Sequence, residues 1–139
     1  MFVSIDPNGY IVTCMKKNTA IVKFRERQKG LTVAGKIVMP APVFNKYLSQ
    51  AAFHKYHVSN FHAVYPSRYG DAREYCGGYK GYKIIIWQKK NPPGSPFYVT
   101  IKKGKREAHL ISTTLAASLK DSTGMINYNA KHRMKLVSS

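Results

Sequence analysis

The first part of the chain alternates between apolar and polar positions and then changes to a helical spacing. Residues 19–25 alternate, with Ala20, Val22 and Phe24 on one face, and residues 31–39 alternate in the same way. Two shorter β-rich runs precede them, at residues 1–5 and 10–15. After Pro40, apolar positions recur at the spacing of a helix that we expect to end near residue 54. The order predicted for residues 1–56 is β-β-β-β-α.

The second part of the chain repeats this order of elements without repeating the sequence. Strands are predicted at residues 58–65, 82–89, 97–102 and 106–111, with a proline-rich loop before the third of them. Ser112 or Thr113 can cap a short helix, which Gly124 and the two hydroxyl residues before it are expected to end. Residues 66–81 are rich in glycine and tyrosine and are interpreted as a long connection.

These patterns predict an α+β fold made of two β-β-β-β-α units, in which antiparallel curved sheets pack with two helices. The units cover residues 1–56 and 57–124, and residues 125–139 form a basic tail that serves as an electrostatic arm or as a docking strand. A unit of about 60 residues buries little surface by itself. The sequence therefore predicts one domain over residues 1–139, internally duplicated in topology.

The charge balance adds a functional expectation to this fold. The chain has 23 Lys and Arg residues against 6 Asp and Glu residues, which gives a formal net charge of +17 and a pI near 10.0. So much charge of one sign repels itself in a compact domain and is usually retained to bind a partner of opposite sign. Nucleic-acid phosphates are the commonest such partner. With 44% hydrophobic residues, the chain can also bury a core, which excludes a basic disordered tail.

The sequence also indicates in which type of cellular compartment the protein is expected. It contains no apolar run long enough to span a membrane, and its first residues lack the charged-then-apolar pattern of a signal peptide. Cys14 and Cys76 are too few for a disulfide scaffold and are interpreted as reduced thiols, with a single disulfide as the alternative. We therefore expect an intracellular protein, of unspecified compartment.

The candidate binding residues follow from alternation on two strands. If the purely apolar faces of residues 82–89 and 97–102 form the core, the opposite face carries both cations and aromatic rings. Ammonium groups contact phosphates, and flat rings stack on unpaired bases at about 1–3 kcal/mol per base. The alternative is a core tryptophan beside lysines that line a solvated strand. The predicted face consists of Lys83, Trp87, Lys89, Tyr98 and Lys102.

Three further groups of residues extend this candidate site. The connection at residues 66–81 places arginine and tyrosine on a glycine-rich backbone, which suits capture of a single strand, although an ordinary surface loop would look similar. A basic turn follows the strand at 97–102, and a basic strand with its hairpin lies at residues 23–29, where the charges could instead protect a sheet edge. These candidates are Arg68, Tyr69, Arg73, Tyr79, Lys80, Lys103, Lys105, Arg106, Lys23, Arg25, Arg27 and Lys29.

Catalysis has less support in the sequence. The acids are scattered, so a two-metal nuclease site is not predicted. His54, His57 and His62 match no metal-binding spacing, with or without Cys76, and we predict neither a metal nor a cofactor. A metal-free ribonuclease could use two histidines as general acid and base. Its candidates are His57, His62 and His109, for which ordinary surface positions are the alternative.

The doubled β-β-β-β-α order, with its high positive charge, resembles the Whirly family and the PUR-repeat proteins and is similar to a dimer of the PC4-like coactivator domain. Those families bind single-stranded DNA or RNA through sheet faces and hairpins, and many of them assemble further. The resemblance spans residues 1–122 and implies binding of single-stranded nucleic acid, and it also admits a homo-oligomer.

The sequence as a whole predicts a protein that binds single-stranded DNA or RNA, largely without sequence preference and without chemistry. Two alternatives stay open, a small basic metal-independent ribonuclease and a viral or ribosomal protein that packages nucleic acid. A membrane-surface role is disfavoured because neither predicted helix carries a lysine-rich face opposite an apolar one.

Overall fold

A computed structural model describes residues 10–15, 18–28, 31–92, 94–132 and 137–138. The predicted strand at residues 1–5 and the candidate Lys29 lie outside these ranges. The strands are β1 Tyr10–Met15, β2 Thr19–Gln28, β3 Leu31–Pro40, β4 Ser59–Val64, β5 Ala72–Tyr79, β6 Tyr82–Lys89, β7 Phe97–Lys103, β8 Arg106–Ser112 and β9 Val137–Ser138, and the helices are α1 Ala41–Tyr56 and α2 Leu115–His132.

The first three strands form an antiparallel sheet in the order β1-β2-β3. The β2 and β3 strands pair along their whole length, from Thr19 opposite Pro40 to Gln28 opposite Leu31. The strands predicted at residues 10–15, 19–25 and 31–39 are therefore confirmed, and the two residues between the second and third lie outside the described ranges. These strands connect directly to α1.

Helix α1 forms because proline and a regular apolar spacing coincide. Pro40 precedes the helix, and Pro42 lies in its first turn, where no backbone donor is needed. Phe44, Leu48 and Ala52 recur every four residues and are buried. The helix ends at His57, which adopts the left-handed conformation with φ 60° and donates its backbone N–H to Phe53 O at 3.0 Å. The predicted end near residue 54 is confirmed to within two residues.

The larger sheet has the order β4-β5-β6-β7-β8-β9, and every pair of neighbouring strands is antiparallel. Strands β4–β8 form the main five-stranded sheet, and the two residues of β9 pair with the start of β8. Both helices pack on one face of this sheet. The core between the helices and the sheet is built from buried residues, which include Phe44, Leu48, Ile84, Ile86, Val99, Ile101, Leu119 and Ile126.

The long connection predicted at residues 66–81 is wrong, because half of it is strand β5, Ala72–Tyr79. The glycines suggest a flexible loop, but at least one of them is required by close packing inside the strand. A Cβ at Gly77 would lie 2.8 Å from Val58 Cγ1 and 3.0 Å from Phe61 Cδ1, so glycine permits close packing within a strand. The true turn contains only Lys80 and Gly81, at φ 49° and φ 82°, which suits a two-residue hairpin.

The extra strand β5 also makes the predicted duplication wrong. The second half is a five-stranded meander followed by a helix, whereas three strands are described before α1, so the fold is not two repeated units. The α+β class, the antiparallel pairing and the two helices are confirmed.

The predicted end of the second helix at Gly124 is also wrong, because α2 continues to His132. Hydroxyl groups that suggest a helix end bond within the helix instead, since Ser122 and Thr123 each donate to Leu119 O. Thr114 accepts from Ala117 N at 3.0 Å and caps the start. Residues 125–132 are therefore helix and not tail. The docking-strand alternative holds for Val137 and Ser138, which form β9.

Among the helices in the described residues, none is long and apolar enough to cross a membrane.

Candidate functional site

The candidate site lies on the outer face of the five-stranded sheet, opposite the two helices. Ile84 and Ile86 pack into the core, so alternation turns Lys83, Trp87 and Lys89 to the outer face. Cross-strand pairing aligns the outer side chains in rows that run across the strands. We call Tyr69, Glu74, Trp87, Tyr98 and Ile111 the aromatic row. The cations at the other end of these strands are called the basic end. Two of them, Lys83 and Lys102, lie on the outer face, whereas Lys80, Lys103, Lys105 and Arg106 lie in or beside the two hairpin turns, with Lys103 and Arg106 on the side that faces the helices.

Three rings stack at the centre of the aromatic row. The Tyr69 ring lies 4.6 Å from the Trp87 ring, with an interplanar angle of 2°. The Tyr98 ring lies 4.7 Å from Trp87 at 27°. Tyr69 is held near β5, because the preceding residue, Arg68, bonds to Glu74 on that strand. Tyr98 lies on β7, and β5 and β7 flank β6 on opposite sides. We infer that the two tyrosines cover opposite faces of the indole.

The row is neither fully buried nor fully solvated. Trp87 and Tyr98 are half-buried, Tyr69 is exposed, and Ile111 at the end of the row is 70% exposed. The order of these residues follows from the register of the strands. Trp87 opposes Glu74 on one neighbouring strand and Tyr98 on the other, and Tyr98 opposes Ile111. The arrangement leaves ring surface and an aliphatic side chain available to a flat apolar ligand.

A buried carboxylate anchors one side of this row. The Glu74 side chain has no exposed surface, whereas that of Arg68 is 52% exposed. Arg68 binds Glu74 through its guanidinium and its backbone N–H, and Ser67 Oγ donates to Glu74 Oε1 at 3.2 Å. The hydrogen bond to Glu74 raises the pKa of the Arg68 guanidinium, so the arginine stays charged and satisfies the buried carboxylate. Arg68 is therefore committed to an internal ion pair.

The basic end gathers exposed cations around two hairpin turns. Lys83 opposes Lys102 on the neighbouring strand, and both side chains are exposed. Gly104 lies in the β7–β8 turn with φ 62°, and residues 105 and 106 follow it at the surface. Lys102 Nζ lies 3.4 Å from Glu107 Oε1, so one of these charges is partly compensated. Pairing of like charges across the strands weakens the sheet slightly and produces a concentrated positive potential.

The aromatic row and the outer-face lysines of the basic end, Lys83 and Lys102, are separate regions of one face. Trp87 lies four residue steps along β6 from Lys83, which corresponds to about 13 Å at roughly 3.3 Å per residue. Between them lies a row in which Ile85 and Thr100 are buried. Lys89 is exposed on the far side of the aromatic row. Rings are thus bordered by cations toward both ends of the strand.

Several predicted binding residues take other positions. Tyr79 is buried, and its hydroxyl donates to Asn127 Oδ1 at 2.9 Å, so its ring is not available to a base. Arg73 is half-buried on the core-facing side of β5 and donates to Gln88 Oε1 at 3.1 Å. Lys80 Nζ bonds to Asn127 Oδ1 at 2.6 Å and remains exposed. Tyr79 and Arg73 lie on the side of β5 that faces the core, so we leave both out of the outer-face site.

The cations of the β2 strand belong to the other sheet. Lys23 opposes Lys36, Arg25 opposes Ala34 and Arg27 opposes Thr32 on β3. They lie in a different sheet from the aromatic row, so strand pairing does not join them to the candidate site.

His62 and His109 lie too far apart to act as an acid–base pair on one phosphate. His62 and His109 occupy the same row on β4 and β8, four strand spacings apart, which is about 19 Å. His62 Nδ1 lies 2.8 Å from Asn60 O, and His109 Nδ1 lies 3.3 Å from Thr100 Oγ1. His57 ends α1, and its ring contacts Phe53 edge-on at 6.0 Å. Within the described residues, no three His, Cys, Asp or Glu side chains cluster in a way that could hold a metal.

A cavity of about 240 Å³ lies beside the aromatic row, where the β4–β5 connection meets the ends of the two strands. Its lining has charges of both signs, with Arg73 and Glu74 on β5 and an ion pair of 3.5 Å between Lys90 and Asp71. Glu74 is paired with Arg68 and Lys90 with Asp71, so the lining carries charges of both signs and does not indicate one class of ligand.

The sequence pattern does not single out Glu74 or Ile111. Glu74 lies in the segment that the sequence predicts to be a connection, so no outward-facing position is assigned to it. Ile111 is predicted only to be the last residue of a strand. Alternation over residues 72–79 is the signal that could have identified the Glu74 position, since it turns this residue to the same face as Trp87.

No family model matches the chain, and no curated protein and no solved structure is significantly similar to it. The family resemblance inferred from the sequence stays a prediction, and the duplicated order of elements on which it rests differs from the order observed.

Proposed function

We propose that this protein binds single-stranded nucleic acid, largely without sequence preference, on the outer face of its five-stranded sheet. The observation that carries the proposal is the half-exposed stack of Tyr69, Trp87 and Tyr98 on a face that also presents exposed lysines. Rings and ammonium groups on one surface are the two elements that proteins use to bind unpaired strands.

The geometry supports a particular orientation of the strand. The aromatic row and the Lys83–Lys102 pair of the basic end both run across the β-strands, about 13 Å apart on the same face. A single strand that lies across the sheet could place bases toward the aromatic row and its phosphates toward the basic end. Because the indole is already covered by two tyrosines, bases would stack on the ring faces at the ends of the row, on Tyr69 and Tyr98, and would contact Ile111.

The proposal explains why the ligand would be unpaired. In a duplex the base faces are covered by neighbouring bases, so stacked rings on a sheet gain nothing from it. Charge alone would attract any polyanion, and the formal net charge of +17 supplies that general attraction. The aromatic row adds the preference for exposed bases.

A titration with labelled oligothymidylate, a matched RNA strand and a duplex of equal length tests this function. Over a salt series, we expect the single strands to bind more tightly than the duplex. Their binding should weaken with salt with a slope of about −2 or steeper, given about 0.7 per phosphate for the three outer-face lysines Lys83, Lys89 and Lys102. Emission from Trp87, the single tryptophan of the chain, should change on binding.

Three outcomes would contradict the proposal. Equal affinity for duplex and single strand would show that the rings do not contact bases. Equal affinity for heparin would reduce the protein to a general binder of polyanions. Cleavage of the RNA that is lost on replacing His57, His62 or His109 would identify a ribonuclease instead.

A further inference from the structure

The connection between β4 and β5, residues 65–71, is held by one buried carboxylate. Both oxygens of Glu74 accept hydrogen bonds from two consecutive residues of this connection. Oε1 accepts from the backbone N–H of Arg68 at 2.8 Å and from Ser67 Oγ at 3.2 Å. Oε2 accepts from Arg68 Nε at 2.8 Å and from the terminal nitrogen of the same guanidinium. The acceptors of Glu74 are thus occupied by a single short segment.

This segment ends in the ring that completes the aromatic row. The backbone N–H of Tyr69 donates to Ser67 Oγ at 3.1 Å, the same hydroxyl that donates to Glu74. The Tyr69 ring then lies almost parallel to Trp87. Glu74 is itself the cross-strand neighbour of Trp87, so the carboxylate lies next to the indole on which Tyr69 stacks. Glu74 is connected to Tyr69 by two routes, through the hydrogen bonds of the Ser67 hydroxyl and through Arg68, which binds Glu74 and directly precedes Tyr69 in the chain.

A buried carboxylate is a costly way to anchor a loop. An ionised group without partners is strongly disfavoured in the interior, and apolar packing anchors loops without this penalty. What a carboxylate adds is direction, because its hydrogen bonds fix the orientation of the groups that donate them. A surface that binds bases gains affinity when its rings are already ordered, since less conformational entropy is lost on binding.

We propose that Glu74 is the positioning residue of the aromatic row, and that it holds Tyr69 on Trp87 through Ser67 and Arg68 so that the row is ordered before an unpaired base binds. The ligand in this statement rests on the proposed function. The positioning does not, because it can be measured in the protein alone. Glu74 contacts no base itself and acts only through Tyr69.

The emission of Trp87 gives a direct readout of the stack. Because the chain has a single tryptophan, the spectrum reports whether the Tyr69 ring covers it. The variants are Glu74→Gln, Tyr69→Ala, the double variant and Arg68→Lys, with far-UV circular dichroism to verify folding. We expect E74Q to shift the emission toward that of Y69A, and the double variant to match Y69A. R68K, which keeps the charge but loses the two-pronged geometry, should shift it less and in the same direction.

The double-mutant cycle separates positioning from a general effect on stability. If Glu74 acts through Tyr69, its replacement changes neither the emission nor the oligothymidylate affinity of a protein that already lacks Tyr69. We expect E74Q and Y69A each to lower affinity about fivefold, with no further loss in the double variant. Addition of the two effects would overturn the proposal, as would wild-type emission from folded E74Q. If E74Q does not fold, wild-type emission from R68K overturns it.

Failure of the proposed function is recognised separately. If the unaltered protein binds no oligonucleotide, the function is wrong, and so is the ligand named for the row. The emission spectra of the unliganded variants would then still decide whether Glu74 positions Tyr69.

Discussion

The two regions of the outer face differ in how firmly their side chains are held. In the aromatic row, Trp87 is stacked with two rings, and the ring of Tyr69 is held by a chain of hydrogen bonds from a buried carboxylate. At the basic end, Lys83 and Lys102 extend into solvent from a pair of neighbouring strands, and further cations lie on tight turns. One region is ordered by contacts and the other is defined by charge.

This difference corresponds to two kinds of interaction. Charges act over about 10 Å at moderate salt and tolerate flexible side chains, so the basic end can attract a strand in many positions. Stacking acts only in contact and requires a fixed ring, so the aromatic row can discriminate between exposed and paired bases. If the two regions work together, removing charge and removing a ring should produce different signatures in the same assay.

The largest effect is expected from the basic end. Replacing Lys83 and Lys102 together with alanine removes two phosphate contacts. Affinity for oligothymidylate should fall about 25-fold at about 0.1 M salt, and the salt slope should become shallower by about 1.4, at about 0.7 per lost contact. Fluorescence anisotropy over a salt series measures both. The matched control replaces Lys46 and Lys120, which are exposed on the helices, and an equal loss in that control would show that only net charge matters.

A smaller effect with a different signature is expected from the aromatic row. Tyr98→Ala should weaken binding by about 1 kcal/mol, roughly fivefold, the lower end of the range for base stacking because one ring face already contacts Trp87. The salt slope should not change, since no phosphate contact is lost. Phe53→Ala is the control, because Phe53 is exposed on α1. A Y98A variant with a shallower salt slope would argue that the two regions are not distinct.

A third change tests whether Tyr79 belongs to the core and not to the site. Tyr79→Phe removes the hydrogen bond to Asn127, which should lower the free energy of unfolding by about 1 kcal/mol. Oligonucleotide affinity should stay unchanged, because the ring is buried. Urea denaturation and anisotropy measure the two quantities. Weaker binding at unchanged stability would return Tyr79 to the candidate site.

The smallest effect on binding is expected from the helix on the opposite face. Gly124 lies within α2, and an added Cβ would meet nothing within 4 Å. Gly124→Ala should therefore raise the free energy of unfolding by about 1 kcal/mol through helix propensity. Both regions of the outer face should bind as before. A change in affinity in this variant would indicate that scaffold stability, and not the face, limits binding.

Local patterns predict much of this fold. The alternation in residues 82–89 places Ile84 and Ile86 in the core, as expected. The helical spacing after Pro40 predicts α1 almost to its last residue. The predictions fail where a residue has a role that its type does not suggest. Gly77 packs closely against Val58 within a strand, and Ser122 and Thr123 bond inside a helix. The residue types at both places predict that a strand or helix is interrupted there, and the packing and hydrogen bonds of the folded protein keep the element continuous.

The sequence by itself determined the strong positive charge and the placement of Lys83, Trp87 and Lys89 on one face. Both follow from composition or from a period of two residues, which is a local property of any strand. Only the tertiary structure decided that Tyr69 stacks on Trp87, that Tyr79 is buried and that Glu74 holds the connection beside them. The contacts of Tyr69 and Tyr79 join residues that are distant in the chain, and that of Glu74 joins a strand to the connection before it. All of them depend on strand register and on the path of a connection, which no local period specifies.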